Sequence, residues 1–146
     1  MSGQTVLHAS AVSFRGRGLL ILGPSGAGKS ALALELMAFG CDLVSDDRTI
    51  VTVRDGRLWA SAPDTIRGRI EARGLGILRA RAVAETALVA AADLAQVETA
   101  RLPEERTFLL ADLPLRSFHK IAWPYYSAAL MQYLKGEDAP DHTGHD

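Results

Sequence analysis

Residues 23–30 read GPSGAGKS, and the spacing G-x-x-x-x-G-K-[ST] suits one task, the cradling of a phosphate chain. Glycines at 23, 26 and 28 let the backbone curl until several N–H groups face a single anion. Gly23, Pro24, Ser25, Gly26, Ala27, Gly28, Lys29 and Ser30 are therefore expected to form the binding loop of a nucleoside triphosphate. Lys29 would reach the β- and γ-phosphates, and the Ser30 hydroxyl would ligate Mg²⁺.

Phosphoryl transfer also needs protein oxygen near the metal and a group that accepts the nucleophile's proton. Asp46 and Asp47 follow the apolar run CDLV (41–44), where a parallel strand would deliver them beside the loop. On extended backbone neighbouring side chains face opposite ways, so the two acids would do different work. The plain alternative is an Asp-Asp turn between two strands. Glu71 and Arg73, in IEARGLG, read either as a magnesium ligand and a phosphate clamp or as a surface ion pair within a glycine-bearing loop. His8 lies in an apolar alternating stretch and is either a catalytic histidine or a satisfied, partly buried one. His142 and His145 lack the companions of a metal site.

These residues need elements to hold them. LLIL (19–22) reads as a buried central strand running straight into the loop. From Lys29 to Phe39 leucines and alanines recur at i, i+3 and i+4, and Gly40 stands where a helix C′ glycine belongs. TVLHASAVSF (5–14) and CDLV read as strands, and Asp55-Gly56 joins TIVTVR to RLWAS as a two-residue hairpin. Residues 63–76 suggest loop plus a short helix. Residues 80–100 stay open, because their alanines favour helix while TALVAAADL also fits a strand. RTFLLADLP reads as a strand closed by Pro114, and Pro124 opens a last helix in YYSAALMQYLK.

At 146 residues the chain is expected to be one domain, spanning 1–136, with a frayed polar tail at 137–146. A formal net charge of −1 offers no basic excess for nucleic acid or an anionic membrane, although that concerns the long-range field and not a local patch. The first residues show no basic flank followed by an apolar run, so no secretory leader is expected among them, and no stretch reaches the roughly 20 apolar residues of a membrane span. Cys41, the single cysteine, reads as a small core residue. A cytoplasmic protein is expected, with neither a nucleic acid nor a membrane as partner.

The order of features, a histidine near the start of a strand, then GPSGAGKS, then LVSDDR, then IEARGLGIL, resembles the kinase core of bacterial HPr kinase/phosphorylase over roughly residues 5–122. The resemblance implies an α/β fold, a β-rich P-loop kinase core, and an ATP-dependent serine kinase acting on HPr or an HPr-like phosphocarrier of the phosphotransferase system. The reverse phosphorylase reaction is left open. It implies ATP in the loop, Mg²⁺ positioned by Ser30 and Glu71, and a catalytic set of His8, Lys29, Asp46, Asp47 and Arg73. Asp47 would take the proton of the target serine, and Arg73 would contact phosphate or position the acids. It also implies a homo-oligomer, a hexamer as in the family.

Two departures stand out. The chain begins almost at the core histidine, as a short form without the family's N-terminal domain would. The later Pro-Gly-Arg-Asn-type segment has no counterpart in LPLRSFHKIAWPYYSAALMQ. In its place the segment 114–124 is expected to face the partner, with Arg116, His119 and Lys120 steering it and Phe118, Ile121 and Trp123 anchoring it. The competing readings are a small-molecule P-loop kinase of shikimate- or gluconate-kinase type, disfavoured by the lack of an arginine-rich lid, and a non-catalytic ATP-binding regulatory module.

Overall fold

In the computed structural model, which describes residues 3–136, the run LLIL lies in a strand that is apolar because both of its faces are covered. The tail expected at 137–146, with His142 and His145, lies outside the described residues. The elements in chain order are β1 (Gln4–Leu7), β2 (Ala9–Phe14), β3 (Arg17–Leu22), α1 (Lys29–Ala38), β4 (Asp42–Ser45), β5 (Thr49–Arg54) and β6 (Arg57–Ser61). A 3₁₀ turn (Asp64–Ile66) then precedes β7 (Arg69–Ala72), β8 (Gly76–Arg79), β9 (Glu85–Val97), β10 (Arg106–Leu110), β11 (Leu113–Lys120) and α2 (Tyr126–Lys135).

Among the described residues nine strands form one sheet with the spine β1-β5-β6-β9-β3-β2-β4, while β11 adds to β9 and β10 to β11. β9 pairs in parallel with both β3 and β11, and the other pairings are antiparallel. β7 and β8 form a separate two-stranded sheet. The result is the expected β-rich α/β fold. On one face of the main sheet Leu19 and Ile21 pack with Leu32 and Leu36 of α1 and with Leu130, Met131 and Leu134 of α2. On the other face Leu20 packs with Val44, Val51 and Leu58.

The open segment 80–100 resolves as β9, a 13-residue strand at the middle of the sheet. β3 runs along one of its edges, while β6 takes the start of the other and β11 the rest. With both edges filled and core on both faces, Ala90, Ala91 and Ala92 are fully buried, and close packing outweighs alanine's small helical preference. The approach is close enough that a Cβ on Gly18 of β3 would lie 2.5 Å from Cγ2 of Thr86 and 2.7 Å from the Ala87 carbonyl oxygen.

Other expectations hold or need correction. α1 ends as the glycine predicts, with the Gly40 and Cys41 amides donating to the Met37 and Leu36 carbonyls at 3.0 Å each. Cys41 is buried against Met131, and burial, helped by Asp42, pushes its thiol up to about 11. Asp55 and Gly56 both take positive φ and close the β5–β6 hairpin. His8, however, is not inside a strand: it occupies the bend separating β1 from β2. Residues 63–76 hold no α-helix but the 3₁₀ turn, β7 and the turn into β8. RTFLLADLP is not one strand closed by Pro114. Ala111 and Asp112, both at positive φ, turn β10 into β11, and Pro114 pairs with Leu109 within the second strand.

Candidate functional site

β3 ends at Leu22 and the chain curls at once through the glycine loop into α1. Gly26 and Gly28 sit at φ 84° and 102° with open space where a Cβ would stand, so it is backbone conformation and not crowding that calls for glycine. The Ala27 amide donates to the Pro24 carbonyl and closes the curl. Among the described residues no side chain caps α1, and its first turn carries no acid, so its leading N–H groups are left to the loop. Lys29 is buried, its Nζ donating to the carbonyls of Gly23 at 2.7 Å and Pro24 at 3.1 Å. A phosphate entering the loop offers that ammonium a charged acceptor in place of two neutral ones.

β4 runs in the same direction as β3, because each is antiparallel to β2 between them. Its end therefore arrives at the edge of the sheet where the loop lies, and Asp46 and Asp47 leave it in a bend. Asp46 is buried and works as a hub. Its Oδ1 accepts the hydroxyls of Ser30 at 2.6 Å and Ser10 at 3.0 Å, and its Oδ2 accepts the Glu71 amide at 3.1 Å. The Ser10 oxygen in turn accepts the Asp47 amide at 3.0 Å. One carboxylate thus ties α1, β2 and β7 to the end of β4.

Asp47 has φ 71°, a left-handed conformation that aspartate tolerates better than most residues. This turns its side chain away from the hub and into the open, where Oδ1 lies 2.8 Å from Nε2 of His8. The two acids do face different ways, through a bend and not through the pleat of a strand. Glu71 lies on β7 and Arg73 in the turn after it, where a loop was expected. Both are exposed, and among the described residues neither has an ion-pair partner within 4 Å, which removes the surface-pair reading. Lys29, Ser30, Asp46, Asp47, Glu71 and Arg73 all line one surface cavity of about 570 Å³.

Ser10 was not legible as a site residue. A serine within ASAVSF looks like any small residue of a buried strand, and only the seating of β2 between β3 and β4 brings its hydroxyl to Asp46. The segment 114–124 lies elsewhere. Arg116 stacks over Phe118, with 4.8 Å to the ring centroid, and Phe118 meets Tyr133 of α2 edge to face at 4.9 Å. With Trp123, Tyr125 and Tyr126 these residues line a different groove, of about 500 Å³, and none of them lines the phosphate cavity.

The model of the HPr Serine kinase C-terminal domain matches residues 1–97 of this chain. The HPr kinase/phosphorylase of Caldanaerobacter subterraneus subsp. tengcongensis is 46% identical over 79 residues, which is 53% of this chain and 26% of that protein. The HPr kinase/phosphorylase of Clostridium tetani is 44% identical over 78 residues, with the same shares. The matched part of the chain thus spans about a quarter of the length of these curated relatives. Among solved structures, the Hpr(Ser) kinase/phosphatase of Coxiella burnetii superposes with a TM-score of 0.76 at 20% identity, covering 90% of this chain and 88% of that one, a likeness of fold.

Proposed function

The chain belongs to the HPr serine kinase C-terminal domain family, and on that premise we propose that it is an ATP-dependent serine kinase acting on HPr or an HPr-like phosphocarrier. The observation that carries this reading is the division between the two acids: Asp46 buried with both oxygens occupied, Asp47 exposed beside the phosphate loop and, among the described residues, its side chain paired only to His8. An acid already accepting three hydrogen bonds is poorly placed to take a proton, whereas an exposed one at the cavity wall can reach a hydroxyl brought in by another protein.

The donor set suits a magnesium nucleotide: a curled loop of backbone N–H groups, one buried ammonium, and the Ser30 hydroxyl with three carboxylates in a single cavity. Bound there, it supplies the transferable phosphoryl group. Gly23 to Ser30 would hold the phosphates, and Ser30 and Glu71 would hold Mg²⁺. Lys29 would leave the loop carbonyls to stabilise the charge on the transferring group. Asp46 keeps Ser30 in place and fixes the β7 backbone that carries Glu71. Asp47 takes the proton from the target serine, and His8 holds its carboxylate toward the incoming hydroxyl. Arg73, exposed on the cavity wall, would contact phosphate. Asp47, Glu71, Arg73 and Leu75 are exposed along that wall, an arrangement that suits a protein-borne serine better than an enclosed metabolite.

The same reading carries a single kinase domain over 1–136, a cytoplasmic setting and a hexameric assembly. Trp123 and Tyr125, exposed and stacked with centroids 6.4 Å apart, are surface that an assembly would cover. Among the described residues no helix is long and apolar enough to cross a membrane.

Incubation with γ-labelled ATP and purified HPr-type carriers should place label on a carrier serine. Lys29→Ala should abolish the transfer, and Asp47→Asn should abolish it while sparing nucleotide binding. Labelling of a small hydroxyl metabolite but of no carrier would overturn the proposal, and undiminished transfer by Asp47→Asn would remove Asp47 as the base.

A further inference from the structure

The β7–β8 hairpin borders the phosphate cavity and carries a surface at odds with the rest of the chain. In a protein of net charge −1, residues 67–81 hold Arg67, Arg69, Arg73, Arg79 and Arg81 against the single acid Glu71. The register of the hairpin places Arg69 directly opposite Arg79, and Glu71 opposite Ile77. Ile70 and Ala72 point into the core, so Arg69, Glu71, Ile77 and Arg79 share the outward face, all exposed. Among the described residues neither Arg69 nor Arg79 has an ion-pair partner within 4 Å. Like charges directly opposite on a two-stranded sheet cost stability, and Glu71, the one acid beside them on this face, forms an ion pair with neither among the described residues. Ile77, 64% exposed, adds an apolar side chain to the same face, and Leu75, 79% exposed, leads from it to the cavity wall.

We propose that this outward face is the docking surface for the protein substrate, and that it recognises an acidic surface patch with an apolar centre lying beside the target serine. The inference rests on the kinase reading above and adds to it where the partner binds and by what chemistry. Arg69 and Arg79 supply the charge that steers and orients the encounter, and Ile77 supplies the contact buried on binding. Because the hairpin continues into the cavity wall through Glu71, Arg73 and Leu75, a partner seated on it presents its hydroxyl to Asp47. This moves the expected partner surface from the segment 114–124 to 69–79.

The test is steady-state phosphorylation of an HPr-type carrier at low and high salt by the wild type, Arg69→Gln/Arg79→Gln, Ile77→Ser and Lys120→Glu. The double neutralisation removes the charge shown to a partner and relieves the repulsion between the two positions, and it adds no carboxylate beside Glu71. Ile77→Ser alters an exposed position outside the core. At low salt the double variant should raise the KM for carrier by about tenfold with kcat and the KM for ATP unchanged, and the salt dependence of the wild-type KM should flatten. Ile77→Ser should raise the carrier KM several-fold at either salt, and Lys120→Glu should match the wild type. An unchanged carrier KM in the hairpin variants, or a rise confined to Lys120→Glu, would overturn this docking surface while the kinase reading stood. Absence of carrier phosphorylation by the wild type would overturn both.

Discussion

Replacing Asp46 by asparagine keeps the volume of the side chain and turns one acceptor oxygen into a donor. If the amide oxygen faces the Ser10 and Ser30 hydroxyls, the new NH₂ group meets the Glu71 amide, donor against donor. If the amide is turned the other way, the two hydroxyls lose their shared acceptor. Either way a buried polar group is orphaned, at about 1–3 kcal/mol, and the remaining bonds exchange a charged acceptor for a neutral one, at about 1 kcal/mol more. The expected loss is about 2–4 kcal/mol, which in a chain of this length lowers Tm by about 6–12 °C. Asp47→Asn removes only an exposed contact to His8, worth about 0–1 kcal/mol, and should leave Tm within about 3 °C of the wild type. Melting curves followed by circular dichroism without nucleotide give both numbers. In the same assay Ser10→Ala should cost less in the Asp46→Asn background than in the wild type, since the two side chains share one bond. Equal melting temperatures for Asp46→Asn and Asp47→Asn, or strict additivity of Ser10→Ala with Asp46→Asn, would refute the hub.

Two further predictions concern the frame around the site. Glu98 is held down to about 2 first by its hydrogen bonds from Arg106 and then by the Ala100 amide. Because its folded pKa lies below the ordinary carboxylate value, the stability it contributes is complete above about pH 4.5 and is lost as pH falls toward 2. The Glu98→Gln variant should therefore melt with a flatter pH dependence in that window, and identical profiles for variant and wild type would contradict the assignment. Arg17 closes the end of α2, its Nε donating to the Leu134 carbonyl at 2.8 Å and its Nη2 to Tyr133 at 3.3 Å. Arg17→Ala should cost about 1–2 kcal/mol in urea unfolding, and an unchanged midpoint would show that the helix end is held by other contacts.

The phosphate loop, the helix after it and the Asp55-Gly56 hairpin were determined by the sequence alone, because each depends on backbone preferences that reach over a few residues. Glycine spacing, a leucine-alanine period of 3.6 and a pair of turn residues carry that information wherever they stand in a fold. The placing of Asp46 and Asp47 at the end of an apolar run was equally local. What the two acids touch was not. His8 and Asp47 are 39 positions apart, and their contact exists because a bend between β1 and β2 and a left-handed residue after β4 meet at one edge of the sheet. Ser10 joins the hub only because β2 lies between β3 and β4. The alanine-rich stretch of β9 has no state of its own to prefer strongly, and its neighbours on both edges decide it. The two arginines of the hairpin acquire their meaning from register, since nothing in RGRIEARGLGILR says that Arg69 faces Arg79 until β7 and β8 pair. Local preference is written in neighbouring residues, whereas contact between distant ones is a property of strand order, and strand order is settled only when the whole core closes.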